Sequence, residues 1–120
     1  MGCWRPLIPL IFLSVNVSCA TANPPLAASE DERTAATTAA LICLDQAIPK
    51  IDDLRSDAAT IAVAAVGMCQ RQFATMDDAY LRQESPAVRR IMSAKYLSDD
   101  HLKMALRSVL AVRNRQMRIR

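Results

Sequence analysis

The sequence predicts an all-α fold: a small helical bundle made of a disulfide-linked antiparallel helical hairpin plus two C-terminal helices. Three observations predict it. The 120-residue chain holds only two glycines, Gly2 and Gly67, so few backbone sites demand positive φ, and its scarce aromatics and abundant alanines suit close helix packing. Apolar residues recur at spacings of three and four, and no segment alternates in the manner of a strand. Two cysteines, Cys43 and Cys69, follow a segment with the composition of an export signal.

That segment, residues 1–22, reads as a signal peptide. Arg5 supplies the positive start, and Leu7 to Val17 form an apolar run broken by Pro9 and Asn16, too short to span a bilayer. Ala20 and Ala22 are small residues spaced for a signal peptidase, and cleavage after Ala22 leaves Asn23-Pro24-Pro25, an extended start. The alternative is a lipoprotein anchored through Cys19, with Asn16-Val17-Ser18 before the acylated residue. Either way, the expected compartment is the periplasm.

The remaining chain is short enough for one domain, residues 30–120, after a linker over 23–29. Ser29 followed by Glu30-Asp31-Glu32 starts the first helix, with a capping hydroxyl and acids against the positive end of the dipole. Its stripe is Ala36, Ala39 or Ala40, Cys43 and Ala47, with Leu41, Leu44 and Ile48 beside it. The second helix runs from about Asp57 to Arg82 with a seam of Ala59, Ala62, Val66, Cys69, Phe73, Met76 and Tyr80. Ser85-Pro86 caps a short third helix to about Tyr96. Ser98-Asp99-Asp100 starts the fourth, which carries Leu102, Ala105, Leu106, Val109, Leu110 and Val112 on one side.

Two thiols in an exported chain oxidise to one disulfide, Cys43–Cys69. Residues equidistant from the turn of an antiparallel hairpin face each other, so the bend centres on Arg55-Ser56-Asp57, where Ser56 or Asp57 can cap the next helix. A bend at Pro49 leaves Cys69 much further from the turn than Cys43, beyond bridging distance. The first helix is therefore expected to pass Pro49 with a kink, or to restart there, and to end near Leu54.

The stretch Ile51 to Cys69, "IDDLRSDAATIAVAAVGMC", with "CLDQA" upstream, resembles small exported helical proteins of Gram-negative bacteria that carry two cysteines. The resemblance spans Cys43 to Cys69 only. It implies a two-cysteine helical domain and brings no catalytic or binding residues with it.

Charge is unevenly placed. From Asn23 to Glu84 ten acids face five bases, whereas from Ser85 onwards nine bases face two acids. The basic C-terminal helix, with Arg107, Arg113, Arg115, Arg118 and Arg120, can serve as a solvated face that complements the helix dipole, as a contact for an anionic envelope surface, or as a surface that packs on the acidic half of its own chain or of a second copy. Nucleic acid is not an expected partner, since basic residues lack interleaved aromatics.

Little else suggests chemistry. His101, the single histidine, reads as a surface residue without a nucleophile nearby. Asp52-Asp53 and Asp77-Asp78 are adjacent pairs that do not share a helix face and read as turn and surface acids. No phosphate loop, nucleophile elbow or zinc-protease motif occurs, and no cofactor or metal is expected. The expectation is a non-enzyme that binds a protein partner or itself, with Met68, Met76, Met92, Met104 and Met117 as an adaptable surface if exposed. Binding of anionic envelope lipid and chaperone activity are the alternatives.

Overall fold

A computed structural model describes residues 25–119; the expected leader, Cys19, the expected cleavage site and Arg120 lie outside these. The described residues form helices joined by short turns, with no strand among them. α1 spans Glu30–Ile51, α2 Ala58–Met68, α3 Gln70–Leu81, α4 Pro86–Met92 and α5 Ser98–Arg118, and a π turn over Ser93–Leu97 joins α4 to α5. α1 packs antiparallel on α2 and α3, and α5 lies across α2 and α1.

The start of α1 is a complete capping box: the Glu32 amide donates to Ser29 Oγ at 3.1 Å, and the Ser29 amide donates to Glu32 Oε2 at 2.8 Å. That backbone hydrogen bond holds the Glu32 carboxyl below the ordinary carboxylate range. Ala28 in the preceding linker is buried and joins the core. Pro49 sits inside α1, in its final turn.

The bend falls where cysteine spacing places it. α1 stops at Ile51, three residues earlier than expected, because Leu54 takes a left-handed backbone with φ of 60° that no helix can contain. Aspartates hold this conformation: Asp52 Oδ1 accepts from the Leu54 amide, and Asp53 Oδ1 accepts from the amides of Arg55 and Ser56. Asp57 then caps α2 by accepting from the Thr60 amide at 2.9 Å.

The Cys43–Cys69 disulfide is present, with the two Cα atoms 5.9 Å apart. Antiparallel register continues beyond it, since Thr37 and Tyr80 share a hydroxyl hydrogen bond and Glu32 pairs with Arg82. The expected second helix is broken in two at Cys69, whose φ of −100° and ψ of 18° leave the helical region. Its amide donates to both Ala65 O and Val66 O, a tightened turn at the crosslinked residue.

The core is rich in small side chains. Ala36, Ala40, Ala47, Ala62, Ala65 and Ala105 are buried, and Leu44, Ile48, Val109 and Cys69 are the largest fully buried ones. Two seam assignments need correction: Ala59 and Tyr80 are exposed, and Ile61, Ala65 and Ala79 are buried in their place. Here α2 packs on α5 as well as on α1, so its buried stripe widens toward α5.

Ser98 does not cap a new helix. Leu97 and Ser98 are both helical, and the Ser98 hydroxyl turns back on Ala94 O at 3.5 Å. Both expected C-terminal helices are present, and because no proline or glycine between residues 93 and 98 stops the chain, they run on from one another through a π turn as one rod.

Replacing both cysteines by alanine should cost about 3.5 kcal/mol in a urea melt, the chain-entropy value for a loop of this length, and dithiothreitol should have the same effect on the unmodified protein. A loss below about 1 kcal/mol would show that the helices hold their register without the crosslink.

Candidate functional site

The basic helix does pack against the acidic half of its own chain. Arg113 donates from Nε to Asp52 Oδ2 at 2.9 Å and from Nη2 to Asp52 Oδ1 at 2.7 Å. The same Nη2 donates to Ser56 O at 2.8 Å, so one guanidinium ties α5 to the bend. The Asp52 side chain is 0% exposed and that of Arg113 is 21% exposed. The Arg113 hydrogen bonds hold the Asp52 carboxyl below the ordinary carboxylate range, and Asp52 in turn raises Arg113.

The other predicted cations are placed differently. Arg115 makes a loose, exposed pair with Asp45 at 3.4 Å. Arg107 and Arg118 are exposed, and Arg120 lies outside the described residues. Arg107 and Arg115 rim an open groove of about 740 Å³ between α1 and α5, with Leu41 and Met104 on its apolar wall and Asp45 and Lys103 beside them.

His101 is not on the surface. It is 8% exposed, its Nε2 lies 2.7 Å from Asp77 Oδ1, and its ring stacks on Phe73 with centroids 4.3 Å apart. It begins the core face of α5, which continues through Ala105, Val109 and Val112. Asp77 is therefore a partner of the fold, not a surface acid, while Asp78 stays outside and pairs with Arg82 and Arg89. Arg89 reaches back to the end of α3, donating to Glu84 O and Arg82 O. It supplies donors to carbonyls that the end of a helix leaves without partners.

The exposed apolar surface with least support from the fold is one that the sequence did not mark. Neither α4 nor the π turn buries a single side chain. Val88, Ile91 and Tyr96 are 39%, 61% and 49% exposed, and Met92 is half-buried beside them. A π turn winds less per residue than an α-helix, so five residues of it set α4 back by about a quarter turn relative to α5. In an unbroken α-helix, Ile91 would point close to the buried line of His101, Ala105, Val109 and Val112. With the π turn, Val88, Ile91 and Tyr96 share the outer face instead.

Among the described residues no group of three or more His, Cys, Asp or Glu is placed to hold a metal ion, and no helix is long and apolar enough to cross a membrane. The disulfide is consistent with an oxidising, exported location. No protein-family model, curated protein or solved structure matches the chain.

Removing the clamp should be costly in a pH-dependent way. Arg113→Ala leaves the shielded Asp52 carboxylate without its partner and should lower Tm by roughly 5 °C or more, whereas Arg107→Ala should change it little. Asp52 has a depressed folded-state pKa, so the stability it contributes is present above the ordinary aspartate value and is lost as pH falls through the folded one. Thermal melts from neutral to acid pH should therefore converge for Asp52→Asn and the parent. Parallel curves across that range would refute the assignment.

Proposed function

We propose that the mature chain is an exported, non-catalytic helical protein of the periplasm that works by binding another protein chain. The observation that carries this reading is the outer face of α4 and the π turn, a run with no buried side chain that presents Val88, Ile91 and Tyr96 to solvent. Large apolar side chains exposed along one face cost solubility and are kept where a partner covers them. Export is supported by the composition of residues 1–22 and by the crosslink. A non-catalytic role is supported by His101, whose Nε2 and ring face are engaged by Asp77 and Phe73 within the fold.

A second reading has its own support. Arg107 and Arg118 are exposed, and with Lys103 they offer cations to an anionic envelope surface. The Arg113 pairing counts against it, because that cation is engaged inside the molecule. Flotation with anionic vesicles tests it: salt-sensitive binding abolished by Arg107→Glu with Arg118→Glu supports it, and no binding rejects it.

Photocrosslinking tests the primary reading. A benzophenone amino acid replacing Ile91 in the exported chain should give a discrete protein adduct, while the same probe at Arg71, an exposed site on α3, should not. Equal yields at both positions, or none at either, would remove the basis for a binding face on α4. The intact mass of the recovered chain separates a start at Asn23 from an acylated Cys19.

A further inference from the structure

We infer that the partner covering α4 and the π turn is a second copy of this chain, docked antiparallel about a two-fold axis at Leu97; the inference rests on the protein-binding reading above. Charge along the rod carries it. Residues 86–97 contain Arg89, Arg90 and Lys95 and no acid, and Asp99 and Asp100 follow directly. Lys95 and Asp99 are four residues apart, on either side of Leu97, and the π turn leaves both on the outer face with Tyr96.

Neither of these two residues has an ion-pair partner among the described residues. Lys95 lies over the ring of Tyr96 at 5.6 Å, and it is Asp100, not Asp99, that pairs with Lys103. An i, i+4 Lys–Asp pair within the rod is therefore available and not made. In an antiparallel pair of rods centred on Leu97, Lys95 of each copy stands opposite Asp99 of the other, and both ion pairs form at once. This is the self-complementary pattern that an isologous interface requires. Tyr96 falls next to the axis against its own symmetry mate, where offset stacking is open to it. Ile91 lies opposite the aliphatic stem of Lys103.

One helix per copy is a small interface, so the association is weak and reversible. Sedimentation velocity over a wide concentration range, on the oxidised mature chain, should show a monomer–dimer equilibrium. Lys95→Glu and Asp99→Lys should each weaken it about tenfold, since each turns two attractive contacts into repulsive ones. The double reversal K95E/D99K restores opposite charges and should recover the parent affinity. Because all these sites are exposed, circular dichroism should be the same for every variant. A chain that stays monomeric throughout, or a double reversal that fails to recover, overturns the second-copy assignment. The benzophenone probe at Ile91 separates the levels of failure: an adduct with a different protein overturns this inference and leaves the binding-face reading intact, whereas no adduct removes both.

Discussion

The Cys43–Cys69 crosslink sets the register on which the other contacts depend. It joins α1 to the junction of α2 and α3 across a sequence separation of 26. With that point fixed, the chain between must turn back within the few residues after Ile51, and the chain outside must zip with Glu32 near Arg82 and Thr37 near Tyr80. The core gives a reason for needing it. Nearly half of the buried positions are alanines, each of which contributes less transfer free energy than a leucine or phenylalanine in its place. A crosslink that restricts the unfolded chain adds stability that this core is poorly equipped to provide. It also helps hold a left-handed leucine at the bend, a conformation tolerated where the surroundings over-determine it.

Part of the division of charge between the two halves of the chain is resolved inside the molecule. Arg113 spans to the bend, Arg115 to Asp45, Arg89 to the end of α3, and His101 to Asp77. These contacts differ in weight. The Arg115 pair is exposed and worth little, while the bidentate Arg113 contact is shielded and also engages a backbone carbonyl. Uneven charge along a sequence thus need not announce an external anion, because one half can be the counterion of the other.

Local chemistry made the hairpin legible. Ser29 with Glu32, Asp57 and Ser85 all cap helices as their side chains dictate, and the cysteine spacing located the bend against the pull of Pro49. The failures were of two kinds. Ser98 has the chemistry of a cap, but a cap forms only where the chain leaves the helix, and nothing there breaks it. His101 and Asp77 lie 24 residues apart on different helices, and only their packing brings them together. The Arg113–Asp52 clamp, across 61 residues, escaped notice for the same reason. A residue's own type and near neighbours specify caps and turns; burial of a polar side chain depends on which helix comes to lie against it.

The π turn connects the fold to a surface that the fold itself does not use. α5 is anchored along its whole inner face from His101 to Val112, with Arg113 locking its far end. A straight helical extension toward the N-terminus would carry α4 along that same line and aim Ile91 back toward α3. Arg89 already fixes the near end of α4 to the end of α3, so both ends of the rod are tied to the hairpin. Between two tied ends, the rotation of α4 about its axis is set by how many residues each turn contains. A wider turn over Ser93–Leu97 absorbs the difference and faces the apolar side chains outward. A single tighter turn would have buried some of them, and burial is the favoured outcome for isoleucine in the absence of a competing contact. Their exposure is thus imposed by the anchoring of the rod at both ends, which leaves this face without a partner in its own chain.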